Sequence, residues 1–378
     1  MKPTKILMTI RQGEVGGGES HVFDLSTNLD QKLYDPHVLA FTDGALIQNL
    51  KKKGIKTHVI YTKVPFDVRV RKQVKAYIQE NNIEMVHAHG TRAASNSLHV
   101  ANKLGLPILY TVHGWSFNDN QSTLKHKLRI ASERYITRKV NQTINVSEGN
   151  QNAGKKYIRD FNSVIINYGI SFERFNPNLD KTALRKEFGF EDDEIWVGFI
   201  ARITYQKDPL TTLKAFKAAS SKNEKLRLLM VGEGDMQEEV DAFIEKNKLH
   251  NVVKRMGFQS RVPDLLTAVD IFTLVSRWEG LPIGLLESMA MKSAIIASKV
   301  DGTKEFLSHG ENGFLVEKED VEHLTDCLLK LAESEELREK FGEAVHALAR
   351  KKFGVDRMVT ETQAVYENFR NSSAQKTS

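Results

Sequence analysis

The sequence contains a single cysteine, Cys327, among its 378 residues. One thiol cannot form an intramolecular disulfide, and a zinc site built on several cysteines is excluded as well. We therefore expect a reducing cytoplasmic location. No apolar run approaches the roughly 20 residues that a membrane-spanning helix requires. The N-terminal segment lacks the apolar core of a secretory signal, and it predicts a first β-strand instead.

Several common catalytic signatures are also missing. The chain has no Gly-x4-Gly-Lys-Ser/Thr loop, which excludes a P-loop nucleotide hydrolase. It has no Gly-x-Ser-x-Gly elbow and no His-Glu-x-x-His pair, which excludes the hydrolases and zinc proteases that depend on them.

Acidic residues are scarce in the first half of the chain. Residues 1–170 hold 24 Lys and Arg against 13 Asp and Glu, whereas residues 171–378 hold 30 against 35. The net charge of +6 is therefore concentrated in the first half, which favours an anionic partner for that half alone. Nucleic acid and an anionic membrane both fit this charge. Because no nucleic-acid recognition motif is present, nucleic acid is not the partner that we expect.

Short apolar segments alternate with amphipathic ones in two successive series. The first series predicts strands at Ile6–Ile10, His37–Phe41, Thr57–Tyr61, Met85–His87, Ile108–Val112 and Val164–Ile166. The second predicts strands at Trp196–Ile200, Leu226–Val231, Val252–Met256, Ile271–Val275 and Ala294–Ala297. Such alternation is typical of a parallel sheet with helices on both faces.

Two doubly wound, Rossmann-like α/β domains are therefore predicted. A chain of this length suits two domains of average size. We place them at residues 1–170 and 171–378, with the linker at Ser171–Asp180. A C-terminal helix from about residue 357 could pack back on the first domain.

The stretch 276–290 has the densest set of candidate functional residues, and it follows a predicted strand. Ligands of open parallel sheets bind at this carboxyl end. Pro282 fits the first turn of a helix running to Met291, so Glu279 precedes that helix and Glu287 lies in its early turns. Carboxylates accept hydrogen bonds from sugar hydroxyls, and a helix N-terminus suits phosphates. In the alternative interpretation, Glu279 caps the helix and Glu287 lies on its solvent-facing side.

The Glu-x7-Glu spacing of Glu279 and Glu287 resembles the signature of glycosyltransferase family four, a large group of retaining enzymes with the GT-B fold. Further motifs resemble the family's in the same order along the chain. They are Gly16-Gly17-Gly18-Glu19, Tyr110-Thr111-Val112-His113-Gly114, Gly198-Phe199-Ile200-Ala201-Arg202 with Lys207-Asp208, Val231-Gly232-Glu233-Gly234 and Met256-Gly257-Phe258. The likeness extends over essentially the whole chain, and the Glu-x7-Glu segment is its most specific part.

The resemblance implies two Rossmann-like domains that face each other across a cleft, the first on the acceptor side and the second binding the donor. It implies transfer of a sugar, with retention of configuration, from a nucleotide diphosphate to a glycan or lipid-linked acceptor in cell-surface polysaccharide assembly. UDP is expected because it is the commonest nucleotide in the group.

The resemblance also assigns roles to individual residues. Arg202 and Lys207 would hold the donor diphosphate, His113 and Glu279 would contact the transferred sugar, and Glu287 would bind the ribose. The rest of the implied donor site comprises Gly17, Gly18, Gly232, Gly257, Phe258, Gly280, Leu281, Pro282 and Ile283.

No metal or cofactor is expected. Negative charge grows on a departing diphosphate, and a guanidinium with an ammonium group can stabilise that charge. The chain has no Asp-x-Asp, the usual metal-binding mark of the other main glycosyltransferase fold. His87 and His89 form a His-x-His pair, for which we expect a structural or acceptor-loop role because no cysteine or carboxylate cluster accompanies them.

A basic helix is predicted at residues 124–139. Its apolar positions are Leu124, Leu128, Ala131 and Tyr135, and its basic ones are Lys125, Lys127, Arg129, Arg134, Arg138 and Lys139. The pattern predicts peripheral contact with the anionic inner face of the cell membrane, with Arg69, Arg71, Lys72 and Lys75 adding charge. The alternative is an ordinary helix that packs through its apolar stripe and leaves its charges solvated.

Two other functions fit the same motifs. One is a nucleotide-sugar epimerase or a phosphorylase on the GT-B framework, although we cannot place the pyridoxal lysine of a phosphorylase. The other is a non-catalytic nucleotide-sugar-binding protein. Intact Glu279, Glu287, Arg202 and Lys207 argue against that second alternative.

Overall fold

The protein consists of two compact α/β units. The structure is a computed structural model that describes residues 2–14, 16–117 and 122–374, with side chains up to residue 370. One unit contains the chain up to Gly169 together with the C-terminal segment from Val355, and the other spans Ile170–Gly354. None of the helices in these described ranges is both long and apolar enough to cross a bilayer.

The first unit is built on a parallel sheet of seven strands in the order β3-β2-β1-β4-β5-β6-β7. The strands are β1 Thr4–Ile10, β2 Tyr34–Ala40, β3 Lys56–Val59, β4 Met85–His89, β5 Ile108–Val112, β6 Gln142–Asn145 and β7 Val164–Ile165. Helices on both faces cover it: α1 Gly17–Asn28, α2 Ala45–Lys52, α3 Arg71–Glu80, α4 Thr91–Lys103, α5 Thr123–Lys139, α6 Glu148–Tyr157 and the last helix, α15 Val355–Ala374. The central strands are buried on both faces, which explains their continuous apolar sequences.

The second unit has a parallel sheet of six strands in the order β10-β9-β8-β11-β12-β13. The strands are β8 Ile195–Ile200, β9 Leu226–Val231, β10 Val253–Met256, β11 Ile271–Leu274, β12 Ala294–Ser298 and β13 Phe314–Val316. Its helices are α7 Lys181–Phe188, α8 Pro209–Ser220, α9 Gln237–Lys246, α10 Val262–Ala268, α11 Ile283–Ala290, α12 Asp301–Lys304, α13 Val321–Glu333 and α14 Glu335–Lys352.

The two predicted doubly wound domains are confirmed, and the strand bounds agree to within three residues. Two short strands, β6 and β13, were not predicted. Gln142–Asn145 is polar at its first position, and Phe314–Val316 is only three residues long, so neither produces an apolar pattern of its own. The predicted linker lies between Ile170 and the start of α7, where no helix or strand forms.

The second predicted domain, residues 171–378, is corrected at its C-terminal end. The last helix belongs to the first unit, where Met358, Val359 and Val365 are buried in the core of that unit. Tyr366 is fully buried there, and its hydroxyl lies 2.7 Å from Nδ1 of His87 on β4. Burial of this apolar face in the first unit explains why the chain returns to it.

Replacement of Tyr366 by alanine should lower the free energy of unfolding of the first unit by about 3–5 kcal/mol, because it leaves a large buried cavity. Urea unfolding followed by circular dichroism measures the change. Tyr366→Phe keeps the ring and removes only the hydroxyl, so it should lose about 1–3 kcal/mol. Wild-type stability in Tyr366→Ala would contradict the position of this helix.

Candidate functional site

The predicted donor residues lie at the carboxyl edge of the sheet in the second unit. Arg202 follows β8, and Glu279 follows β11. These two strands are neighbours, and the strand order reverses between them, since β9 continues from β8 in one direction and β12 from β11 in the other. Loops diverge at such a switch point and leave a crevice in which ligands of open α/β sheets bind.

An ion pair joins the loops that follow β8 and β11. Nζ of Lys207 donates to Oε1 of Glu279, and the side chains are only 14% and 6% exposed. Nε2 of Gln206 adds bonds to the carbonyl of Trp278 at 2.9 Å and to Oε2 of Glu279 at 3.5 Å. The sequence analysis assigned Lys207 and Arg202 together to the donor diphosphate, and it did not predict that Lys207 pairs with Glu279.

Arg202 is exposed at the same edge, and its side chain has no hydrogen-bond or ion-pair partner within the described ranges. Its loop is held by close backbone contact with the loop after β9. A Cβ on Gly232, whose φ is +131°, would lie 2.1 Å from the carbonyl oxygen of Ala201. Glycine is required at this position, both for its backbone conformation and for this approach.

The loops after β9 and β10 also meet. The backbone N–H of Phe258 donates to Oε1 of Glu233 at 3.3 Å, and the Phe258 ring is 52% exposed. A Cβ on Gly257 would lie 3.0 Å from the same Oε1. The structure therefore brings together the two predicted donor-site segments around Gly232 and Gly257, and it exposes the Phe258 ring to solvent.

Helix α11 carries the second glutamate of the Glu-x7-Glu pair. Pro282 is its N-cap rather than part of its first turn, and the helix ends at Ala290, one residue before the predicted end. Glu287 is the fifth residue of the helix and is partly buried. Leu281, which precedes the N-cap, is buried. The Glu279–Gly280 loop is packed against helix α12, because a Cβ on Gly302 would lie 2.4 Å from the carbonyl oxygen of Gly280.

The first unit assembles the glycine loop and the predicted histidine at its own carboxyl edge. Helix α1 begins at Gly17, directly after the loop that follows β1. A Cβ on Gly18 would lie 3.2 Å from Cδ2 of His113, so the glycine allows the backbone to rest on the imidazole ring. His113 follows β5, close to this loop.

Both ring nitrogens of His113 are already engaged. Nδ1 lies 2.6 Å from the hydroxyl of Tyr168, and Nε2 lies 3.2 Å from Nδ1 of His89. A ligand hydroxyl that reaches either nitrogen must replace one of these partners.

Four imidazoles cluster at this position, comprising the buried His21, His87 and His89 and the partly buried His113. Burial lowers the pKa of His21 and of His87 to about 3, with repulsion from His21 contributing to the shift of His87. Burial and neighbouring imidazoles hold the pKa values of His89 and His113 well below the usual range. All four are therefore neutral near pH 7. His87 bonds to Tyr366 and Thr111, consistent with a structural role.

Three of these imidazoles could hold a metal ion. One ligand nitrogen from each of His21, His89 and His113 lies within 4.8 Å of the others. Nδ1 of His21 and Nε2 of His89 are buried without a hydrogen-bond partner. The expectation of a metal-independent protein remains a prediction.

Comparisons with known protein families match the two halves of the chain separately. The family model for glycosyl transferases group 1 matches residues 180–347, and the model for glycosyltransferase family 4 matches residues 15–174. The chain is a glycosyltransferase with the GT-B fold.

Named relatives cover most of this glycosyltransferase. N-acetyl-alpha-D-glucosaminyl L-malate synthase of Bacillus anthracis is 22% identical over 317 residues, or 82% of each chain. UDP-Gal:alpha-D-GlcNAc-diphosphoundecaprenol alpha-1,3-galactosyltransferase of Escherichia coli is 24% identical over 271 residues, or 69% of each chain. The crystal structure of Anabaena HepE in complex with UDP and glucose superposes with a TM-score of 0.86 at 20% identity, covering 96% of this chain and 99% of HepE.

Four residues near the glycosyltransferase's predicted positions were missed by the sequence analysis. Arg11 follows β1, Arg92 is the second residue of α4, His21 lies on α1 and Tyr168 contacts His113. Position after a strand could have indicated Arg11 and Arg92. No local pattern indicates Tyr168, since its contact spans 55 residues of sequence.

The buried histidines should make stability fall with acid. Their folded-state pKa values lie below the usual 6.5, so the unfolded chain binds protons that the folded chain does not. The free energy of unfolding should therefore decrease as the pH drops below 6.5 towards 3, by up to about 1.4 kcal/mol per pH unit for each histidine.

Urea unfolding between pH 8 and pH 5 measures this slope in the wild type and in His87→Gln. The variant should show a shallower slope, by about one proton, because it removes one of the titrating imidazoles. Equal slopes in the two proteins would show that His87 is not held neutral in the folded state.

Proposed function

We propose that this glycosyltransferase moves a sugar from a UDP-sugar to a glycan or lipid-linked acceptor in polysaccharide assembly, with retention of anomeric configuration. The observation that carries the proposal is the largely buried Lys207–Glu279 pair at the switch point of the second unit, close in sequence to Arg202, whose side chain has no partner among the residues that the structure describes. A nucleotide diphosphate needs cations at such a point, and a sugar needs a carboxylate beside them.

The named relatives support the donor and the acceptor class. The Anabaena HepE structure holds UDP and glucose. The Escherichia coli relative is named for UDP-Gal as donor and for a diphosphoundecaprenol-linked acceptor. A lipid-linked acceptor for this chain also agrees with the basic surplus of its first half.

Arg202 and Lys207 would stabilise the leaving diphosphate in this reaction. In the proposed front-face displacement, the acceptor oxygen bonds to the anomeric carbon while the bond to UDP breaks, and the acceptor proton passes to the departing phosphate. Glu279 would contact the sugar and hold Lys207 in place. Activity should survive EDTA because the two cations supply the positive charge. A covalent sugar on Glu279 would exclude this mechanism.

Replacing each glutamate by glutamine should have a different effect, on UDP affinity for Glu287 and on turnover for Glu279. Glu287→Gln should weaken UDP binding about 10- to 100-fold, because bonds to a charged group contribute roughly 1.5–3 kcal/mol. Glu279→Gln should leave UDP affinity within a few-fold and reduce turnover by about 100-fold. Calorimetry with UDP and slow hydrolysis of UDP-glucose and UDP-galactose measure the two quantities without an identified acceptor.

Glu239→Gln is the matched control, since Glu239 is exposed on α9 of the same unit. It should behave as the wild type. In the double variant Lys207→Ala/Glu279→Gln, the effects on turnover should be less than additive, because the two side chains form one pair. If Glu279→Gln lost affinity and kept turnover, the proposed division of roles would be wrong.

We further propose that α5 rests on an anionic membrane. Its apolar residues face solvent rather than the core, with Leu124 71%, Leu128 62% and Tyr135 51% exposed. The helix packs instead through the buried Glu133 and Ile136. This contradicts the alternative of an ordinary helix that packs through its apolar stripe.

Neighbouring segments extend the same surface. The Tyr135 ring contacts Phe66, at a centroid distance of 6.1 Å, in a loop where Val64 and Val68 are also exposed. Beside α5 lies α4, and a groove between α3 and α4 is lined by Arg71, Lys72, Lys75 and Lys103. Exposed apolar groups among cations suit a bilayer that carries negative charge.

Flotation with vesicles tests this surface. The wild type should float with phosphatidylglycerol-containing vesicles at low salt, and should not float with phosphatidylcholine alone. Reversing two charges in Lys125→Glu/Lys127→Glu should weaken binding at least about tenfold, since each cation near the surface contributes roughly 1 kcal/mol. Leu179→Ser, at an exposed apolar residue outside the surface, is the control. Equal flotation of both variants would refute the contact.

A further inference from the structure

Two arginines stand at the carboxyl edge of the sheet in the first unit. Arg11 directly follows β1, and Arg92 is the second residue of α4, which follows β4. Strands β1 and β4 are hydrogen-bonded neighbours with Ile10 opposite His89, so the two arginines leave the sheet at adjacent points.

The packing of α4 brings their side chains to the same edge. Oγ of Ser97 on α4 donates to Oγ1 of Thr9 on β1 at 3.1 Å. Arg92 lies five residues earlier on the helix, about 7.5 Å nearer its N-terminus. Arg11 lies two residues beyond Thr9, about 6.6 Å further along the strand. The helix and the strand run in opposite directions, so both arginines extend past the edge.

The charges at this edge are not balanced. The Arg92 side chain is partly buried, and within the described ranges it has no hydrogen-bond or ion-pair partner. Burial and the nearby charge of Arg11 lower its pKa. Arg11 faces one carboxylate, that of Glu19, at 3.8 Å. The charge of Arg11 also contributes to lowering the pKa of His113, which places this arginine near the predicted sugar-contacting residue.

The start of α4 adds backbone donors to the two side chains. Its N-cap is Gly90, with φ of +83°, and no side chain caps the helix. The free N–H groups of the first turn therefore lie at the same edge as Arg92. A partly buried guanidinium, a second guanidinium and an uncapped helix start together match the oxygens of a phosphate.

We propose that Arg11 and Arg92 bind a phosphate group of the acceptor. The inference rests on the proposed function, in which the first unit takes the acceptor and the cations of the second unit, Arg202 and Lys207, serve the donor diphosphate. A neutral glycan would leave Arg92 uncompensated, whereas a phosphorylated acceptor supplies the missing charge. The acceptor is therefore anionic close to the hydroxyl that reacts.

The test uses the full chain saturated with UDP, so that the donor phosphates are already in place. Glycerol 1-phosphate and geranyl diphosphate are the probes, and glycerol and geraniol are their neutral counterparts. Calorimetry should show binding of both phosphates and of neither alcohol. Tighter binding of geranyl diphosphate would assign the phosphate to a lipid carrier, and tighter binding of glycerol 1-phosphate would assign it to a soluble or polymer-bound phosphate.

Arg11→Gln and Arg92→Gln should each weaken phosphate binding about tenfold or more while leaving UDP affinity unchanged. Arg92→Lys keeps the charge but loses the planar fork, so it should weaken binding less. Arg159→Gln, at an arginine of the same unit that is 87% exposed, should have no effect.

The inference is overturned if the wild type binds UDP but neither phosphate probe. It is equally overturned if the Arg92 variants bind the probes as tightly as the wild type, or lose UDP affinity instead. Failure of the wild type to bind UDP is a different result, because it contradicts the proposed donor and not the phosphate site. Unchanged UDP affinity shows that the second unit of the variants is folded, and an unchanged urea-unfolding curve followed by circular dichroism shows the same for the first unit.

Discussion

The ion pair between Lys207 and Glu279 is the interaction on which the donor side depends. Both side chains are largely removed from solvent, so neither charge is stable there without the other. The pair also holds together the two loops that diverge at the switch point between β8 and β11. The carboxylate that we propose for the sugar and the ammonium that we propose for the diphosphate are thereby held next to each other.

Close backbone packing sets the positions of these loops. The approach of Gly232 to Ala201 and of Gly302 to Gly280 leaves no room for a side chain, so the main chain holds the loops after β8 and β9 together and holds the loop after β11 against helix α12. In the first unit, a side chain rather than the main chain holds the corresponding loop in position. Its loop at Gly16–Gly18 rests on His113, and the His113 ring stacks on the buried imidazole of His89.

The basic surplus of the first half divides between two surfaces with different chemistry. On α5 the cations accompany exposed leucines, an arrangement that suits a broad anionic surface. At the sheet edge, Arg11 and Arg92 lie beside an uncapped helix start, an arrangement that suits a single compact anion. A lipid carrier with a phosphate head would satisfy both surfaces at once, since its chain remains in the membrane while its head reaches the edge.

The sequence by itself determined the two doubly wound units, nearly all their strands, and the order of the motifs around Glu279, Glu287 and Gly18. The units and their strands follow from local periodicity, and the motifs follow from their resemblance to glycosyltransferase family four together with the rule that ligands bind at carboxyl ends. Only the tertiary structure decided that Lys207 pairs with Glu279, that Tyr168 and His89 hold His113, and that Leu124 and Leu128 face solvent. Each of these depends on residues brought together from distant parts of the chain or on which face of a helix is covered, and neither is visible in a local pattern.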